Sequence, residues 1–247
     1  MLRLHDARVD ALTPIAPATG RTLSARVCGG GLRALLVADT LRRIASVGHD
    51  WEVVVTSEFG DDRASALNIH PAAAADPARA VDVHVGCDGG GGCTAPVVGC
   101  SVPVGSMALP DAAQPDAALP DDPLALRLAL LDTEHQVDVA LHRAGLDAAA
   151  TTLRRWRELV WRWAQAPGAP MSREHAAAVV AALDDDLRTA AATGVLRDLE
   201  TDGAVAAGAK FETFAYADRL LGLDLARDVL SGPPRDLSRA RPDNSRH

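Results

Sequence analysis

The sequence contains a single lysine, Lys210, and aromatic residues make up only 3% of its 247 positions. No stretch approaches the roughly 18 consecutive apolar residues of a membrane-spanning helix, so we expect no membrane association. The opening residues, MLRLHDARVD, lack the basic-then-apolar order of a secretory signal, and a cytoplasmic location is expected. The net charge of −8 disfavours a broad nucleic-acid surface, which needs a basic face to displace the counterions of phosphates.

The hydrophobic pattern divides the chain into two halves. Residues 1–107 contain strand-like runs such as WEVVVTS and AVDVHVG, and a helical pattern, LRALLVADTLRRIASV, lies between the first two strands. Strand, helix and strand in this order indicate a parallel βαβ unit. We therefore predict an α/β fold in which a reduced Rossmann-like parallel sheet forms the first domain.

The second half is helical in pattern. Residues 108–122 are rich in Pro, Ala and Asp without an apolar period, which predicts a linker. Residues 123–232 carry four helical patterns separated by Gly or Pro, one of them LALRLALLDTEHQVDVALHRAG and another SREHAAAVVAALDDDLRTAAATGVLRDLETDGA, and predict an antiparallel bundle. The polar segment 233–247 is predicted to be a disordered tail.

The order of these segments resembles a known family. LRLHDARVDALTPIAPATGRTLSARVCGG, followed by LVADTLRRIASVGHDWEVVVTSEFGDD, is similar to the start of cysteinyl-tRNA synthetases and of the related cysteine ligase of mycothiol biosynthesis. PLALRLALLDTEH and TLRRWRELVWRWA look like the helical domain that follows the catalytic core in that family. The resemblance implies a class I, Rossmann-like protein that handles cysteine, and covers most of residues 1–230.

Two phosphate-handling motifs of the family are missing. The Cys-Gly turn of the family leads into a His-x-Gly-His motif, whereas here CGGG runs directly into LRALLVADTL. The family's mobile loop uses two lysines to neutralise the phosphates during adenylation, and a chain with Lys210 alone cannot supply them. We therefore expect ATP binding to be weak or absent.

The resemblance also implies a substrate pocket. Its matching positions are Cys28, Gly29, Trp51, Thr56, Asp61 and Asp62. In the family a zinc ion selects the thiol of cysteine, and Cys28 matches one of its ligands. Cys28, Cys87, Cys93 and Cys100 could rebuild such a site as four thiolates, or as three thiolates with His84.

Plainer interpretations of the same residues stay open. The spacing of the cysteines differs from the C-x-x-C of common zinc modules, so they can equally be small buried apolar residues or redox thiols. Asp61 and Asp62 can cap a following helix, and Trp51 can belong to the core.

The helical half offers one further candidate surface. Trp156 and Trp163 lie seven residues apart in RRWRELVWRW. The arginines around the helix, Arg154, Arg155, Arg157 and Arg162, could contact a tRNA stem or an acidic protein partner. Core tryptophans with a solvated arginine face are the alternative.

Three functions therefore compete. The first is a cysteinyl-tRNA synthetase-like binding or regulatory module that cannot adenylate cysteine. The second is an active ligase or transferase that forms a carbon–oxygen or carbon–nitrogen bond to cysteine at a rebuilt site. The third is a structural partner subunit that docks through its helices.

Overall fold

The computed structural model describes residues 1–18, 20–29, 31–76, 78–86, 97–109 and 120–232. The predicted tail, most of the predicted linker, and the cysteines Cys87 and Cys93 lie outside these ranges.

In the described ranges, the first half consists of strands and one helix, and helices dominate the second half. The strands are β1 (Arg3–Asp6), β2 (Ala11–Pro14), β3 (Thr22–Val27), β4 (Glu52–Ser57), β5 (Ala73–Ala74), β6 (Val81–Val85), β7 (Val97–Val102), β8 (Met107–Ala108) and β9 (Val139–Ala140). The helices of the described ranges are α1 (Gly31–Gly48), α2 (Pro123–Leu131), α3 (Arg143–Ala164), α4 (Arg173–Asp184), α5 (Thr189–Thr201) and α6 (Ala207–Leu221).

The main sheet has five parallel strands in the order β5-β4-β3-β6-β7. The predicted βαβ unit is confirmed, because β3 and β4 pair in parallel and α1 connects them. The prediction of an α/β fold with a parallel sheet is therefore confirmed, and the sheet is consistent with a Rossmann-like domain.

Two small sheets flank the main one. β1 and β2 form an antiparallel pair, and the amide of Ala7 donates to the carbonyl of Ser101 in β7 over 2.9 Å. β8 and β9 pair in parallel through Met107 and Val139. This second pair joins the end of the sheet region to the chain between α2 and α3.

Helix α1 is buried along most of its length because it packs between the sheet and other helices. Its apolar residues Leu32, Leu36, Leu41 and Ile44 are at most 3% exposed. They belong to one continuous apolar cluster that also contains Leu23 of β3 and residues of the helical half. Because α1 is buried on several sides, it is the helix that connects the sheet with the helical half.

Two of the predicted helical patterns are broken in the structure, and the prediction of four helices is wrong at these points. The pattern over 124–145 ends at Leu131, since the chain then turns to pair β9 with β8. The pattern over 172–204 is divided at Asp186 and Leu187, whose φ angles of 63° and 49° are left-handed and stop a helix.

The helices of the second half pack on one another and on α1. α3 contacts α2 and α6, and α4 contacts α5. The Trp156 and Phe214 rings meet edge to face with their centroids 5.8 Å apart. Within the described ranges, every helix is too short or too polar to cross a membrane.

Candidate functional site

The two faces of the main sheet differ in polarity. Leu23, Ala25 and Val27 of β3 alternate with Ser24 and Arg26, and the first three belong to the apolar cluster. The strand register extends this difference across the sheet. The second face carries Val54 of β4 and the polar residues Ser24 and Arg26 of β3, Thr56 of β4, Asp82 and His84 of β6, and Ser101 of β7.

A polar second face is unusual for a parallel sheet, whose strands are ordinarily apolar on both sides. His84 is fully buried and Ser101 is 3% exposed, so this polarity lies inside the molecule. Ser24 and Asp82 bond to each other, with the Ser24 amide and hydroxyl each donating to Asp82 Oδ2 over 2.8 Å. Buried polar side chains on one sheet face favour a binding function for that face.

The order of the strands places a crevice next to this face. The chain moves outward from β3 to β4 and β5, and then returns to the other side of β3 with β6 and β7. In open α/β sheets, ligands bind where the direction reverses, at the carboxyl ends of the strands. Here that position is the end of β3, followed by Cys28 and Gly29, and the end of β6, followed by Gly86.

The backbones come very close at this position. A Cβ atom on Gly86 would lie 2.3 Å from the carbonyl oxygen of Gly29, and Gly86 has a φ angle of +87°. The Cys28 amide donates to the carbonyl of Val85 over 3.0 Å. Position 86 therefore requires glycine, because a side chain would collide with Gly29 and because other residues rarely adopt this φ angle.

Cys28 and His84 are the two reactive side chains that lie together at the crevice. The Cys28 Sγ lies 3.3 Å from His84 Nδ1, and the thiol is partly exposed while the imidazole is buried. The sequence analysis named both residues, and the structure brings them together. A thiol beside an imidazole can share a proton, and the two are also donors that zinc prefers.

Cys100 lies elsewhere, which corrects its place in the predicted thiolate cluster. It pairs in register with Val83 and therefore faces the opposite side of the sheet from His84. Its Sγ lies 3.7 Å from the carbonyl oxygen of His5, and burial raises its pKa to about 12. A thiol that stays protonated at neutral pH is a poor metal ligand.

The donors at the crevice match part of a zinc site. Ordinary Zn–S and Zn–N bonds in a tetrahedral site place sulfur and nitrogen roughly 3.5 Å apart, close to the observed 3.3 Å. Among the described residues, no group of three His, Cys, Asp or Glu side chains is placed to hold a metal ion. Cys28 and His84 thus supply two donors of the four that a structural site needs.

The other positions of the predicted pocket separate into two groups. Thr56 lies on the polar face, in register with Arg26, and its hydroxyl donates to the carbonyl of Ala25 over 3.3 Å. Trp51 immediately precedes β4, at the amino end of the parallel strands, and stacks on His49 at 4.8 Å. Cys28 follows the carboxyl end of β3, so Trp51 lies at the opposite end of the sheet and does not belong to the crevice.

The acidic pair follows the carboxyl end of β4. Asp61 accepts hydrogen bonds from the amide and guanidinium of Arg63, and these bonds hold the pKa of Asp61 below its ordinary value. Asp62 is exposed. Asp61 therefore stabilises a local turn, and the segment after it forms turns without an α-helix to cap.

The arginines of α3 do not form one surface. Arg154, Arg155 and Arg162 are exposed, whereas Arg157 is 6% exposed and bonds to Asp122 and to the carbonyl of Leu223. Arg157 therefore ties α3 to the start of α2 and the end of α6. This burial corrects its inclusion in a partner or RNA surface.

Lys210 is also engaged inside the protein. It is 8% exposed, its Nζ donates to the carbonyl of Glu200 over 3.0 Å, and it lies 5.5 Å from the Trp163 ring centroid. The one lysine of the chain is therefore a structural residue of the helical half.

Sequence reasoning missed Arg26, Ser24, Asp82 and Ser101 as residues of the polar face. The signal was present in the strict alternation of VDVHV and in the arginine inside TLSARV. Such alternation is typical of a sheet with one polar face.

Comparison with known sequences does not extend these observations. No family model matches the chain, and no curated protein matches it.

Proposed function

We propose that the protein is a cysteinyl-tRNA synthetase-like module that binds cysteine, or a small derivative of it, without adenylating it. The Cys28–His84 pair at the strand-order reversal carries the proposal. It combines the ligand-binding position of an open α/β sheet with a thiol and an imidazole 3.3 Å apart.

Thiol recognition could proceed in two ways at this pair. Zinc held by Cys28 and His84, with further donors, would bind the ligand thiolate directly and explain the selectivity for sulfur. Without metal, His84 would accept a proton from a thiol and Cys28 would provide a soft neighbour for the ligand.

The absence of the family's two lysines and of its His-x-Gly-His motif supports binding without adenylation. Charge that develops on phosphates in a transition state must be met by positioned cations. Lys210 is buried against Trp163 and Glu200, so it does not provide such a cation at the crevice.

Calorimetric titration tests the proposal. L-Cysteine, L-serine and ATP are titrated into the wild type and into Cys28→Ala, and zinc is quantified by plasma mass spectrometry in the same samples. Cys100→Ala is the matched control, since its thiol lies on the other face of the sheet. We expect cysteine to bind the wild type and Cys100→Ala, and to be lost in Cys28→Ala, while serine and ATP show no binding.

Other outcomes have distinct meanings. Pyrophosphate release from ATP in the presence of cysteine would replace the proposal by the active-ligase function. Absence of cysteine binding in the wild type, with or without zinc, would reject it. Loss of binding in Cys100→Ala as well as in Cys28→Ala would show that the effect is not specific to the crevice.

A further inference from the structure

Arg26 is a buried cation in the middle of the main sheet. It is 1% exposed and lies on the polar face, in register with Thr56 on one side and His84 on the other. Its Nη2 donates to the carbonyl oxygens of Asp76 and Arg79. Within the described ranges, Nε and Nη1 are buried and have no hydrogen-bond partner.

The described structure provides no counter-charge for this guanidinium. No acidic side chain among the described residues lies within ion-pair distance of Arg26. Asp82, on the neighbouring strand, accepts from Ser24, and the Asp76 carboxylate accepts from the amide of Ala78 over 3.0 Å. A buried cation without a counter-charge is unfavourable, and native proteins ordinarily pair such groups with an anion.

We propose that Arg26 binds an anionic group of a ligand, a carboxylate or a phosphate, which accepts hydrogen bonds from Nε and Nη1. Charged hydrogen bonds of guanidinium to these groups are among the strongest in proteins. The inference rests on the proposed function for the thiol end of the ligand, and on Arg26 alone for the anionic end.

The distance between Arg26 and Cys28 indicates how far apart the thiol and the anionic group of the ligand lie. Residues two apart in a strand share a face and lie about 6.6 Å apart at their Cα atoms. Cys28 therefore lies one such position beyond Arg26 along the strand, while His84 lies beside Arg26 on β6. A small molecule with a thiol at one end and an anionic group at the other suits this spacing.

Asp76 and Arg79 lie against this part of the sheet. Both residues are exposed, and their carbonyl oxygens accept from Arg26 Nη2. Because Arg26 is 1% exposed, a ligand reaches Nε and Nη1 only through a local opening of the residues around it. Exposed residues such as Asp76 and Arg79 open at a low free-energy cost.

The test compares two thiols that differ in the anionic group. L-Cysteine and cysteamine, which lacks the carboxylate, are titrated calorimetrically into the wild type, Arg26→Met and the control Arg154→Met, which removes an exposed arginine of α3. We expect the wild type and Arg154→Met to bind cysteine at least about tenfold more tightly than cysteamine, and Arg26→Met to bind the two thiols equally. If Arg26→Met does not fold, Arg26→Lys, which keeps the charge but lacks the guanidinium Nε, replaces it.

A second arm separates this inference from the proposed function. Thermal unfolding is recorded in sodium acetate and in sodium phosphate against sodium chloride at equal ionic strength. A rise in Tm with acetate favours a carboxylate ligand, and a rise with phosphate alone favours a phosphate ligand, provided that Arg26→Met shows neither rise.

Each result then has one meaning. Equal binding of cysteine and cysteamine by the wild type, without a rise in Tm, overturns the anion site and leaves the proposed function standing. If neither thiol binds but an anion stabilises the wild type and not Arg26→Met, the proposed function fails and the anion site stands. A rise in Tm of the same size in the wild type and Arg26→Met also overturns the anion site.

Discussion

At the scale of single residues, His135 is the most perturbed histidine of the described chain. Its ring is 6% exposed, and neither ring nitrogen has a hydrogen-bond partner within the described ranges. It lines a cavity of about 20 Å³, large enough for one water, together with Arg33 and Thr40. Burial lowers the pKa of His135 to about 4, and the positive charge of Arg33 adds to the effect.

This perturbation predicts a loss of stability on acidification. The folded-state pKa is about 4 and the ordinary value is 6.5, so the unfolded chain binds the proton first as the pH falls. Above about pH 6.5, His135 is neutral in both states and does not reduce the free energy of unfolding. As the pH falls from there towards 4, the unfolded chain gains the proton and the free energy of unfolding decreases. Between pH 7.5 and 5.0 the loss amounts to about 2 kcal/mol.

Urea unfolding at the two pH values measures the effect. We expect His135→Leu to reduce the difference between the unfolding free energies at pH 7.5 and 5.0 by about 2 kcal/mol relative to the wild type. The exposed His142 provides the control His142→Leu, which retains the wild-type difference. An unchanged pH dependence in His135→Leu would show that other groups cause the acid sensitivity.

At the scale of elements, the close approach of the turns after β3 and β6 leads to a second prediction. Gly86→Ala would place a methyl group 2.3 Å from the carbonyl oxygen of Gly29, at a φ angle of +87°. We expect this variant to lose at least about 2 kcal/mol of unfolding free energy and to lose cysteine binding, since the two strand ends must separate.

The control for this prediction is a glycine with open space around it. Gly194 lies inside α5, and a Cβ there has no neighbour within 4 Å. Gly194→Ala is expected to stabilise the protein by about 0.5 to 1 kcal/mol through helix propensity, and to leave ligand binding unchanged. Chemical denaturation and calorimetry report both quantities. Full cysteine binding by Gly86→Ala would place the ligand away from this edge.

The sequence predicted those elements whose own residues show a clear helical or alternating spacing of apolar side chains. α1, β4 and β6 have clear helical or alternating patterns, and the structure contains all three. The division between α4 and α5 was missed because left-handed backbone at Asp186 and Leu187 leaves little trace in apolar spacing. β9 was missed because a two-residue strand exists only through its partner, β8.

The candidate site was predictable only in part for a related reason. Cys28 and the glycine turn can be identified from the end of a strand and the start of a helix. The contact of Cys28 with His84 depends on β6 lying beside β3, which the order of the chain does not show. The surroundings of Arg26 likewise depend on Asp76 and Arg79, which are about 50 residues away in the chain and whose carbonyl oxygens accept from its guanidinium.

At the scale of the whole molecule, one carboxylate connects the sheet region to the helical half. Asp39 of α1 is 2% exposed, and its Oδ2 accepts from Arg43 Nε over 2.7 Å and from Arg127 Nη2 over 2.9 Å. Arg127 lies in α2, is fully buried, and also donates to the carbonyls of Leu67 and Leu221. The network therefore joins α1, α2, the end of α6 and the segment before β5.

This network predicts that the two halves unfold together. Asp39→Asn removes the negative charge that compensates Arg127, and an uncompensated buried charge typically costs about 3 to 5 kcal/mol. The matched control is Asp147→Asn, which weakens an exposed ion pair four residues apart on α3, with side chains 45% and 54% exposed, and should cost less than about 0.5 kcal/mol. Urea unfolding gives the two free energies.

Hydrogen exchange followed by mass spectrometry shows where the loss of stability acts. Because Asp39 is shared by both halves, we expect Asp39→Asn to accelerate exchange to a similar degree in peptides from β3 and β6 and in peptides from α3 and α6. Asp147→Asn should leave all four at the wild-type rate. Acceleration confined to residues 1–109 would show that the helical half is stable by itself, and that the network connects two independently folding units.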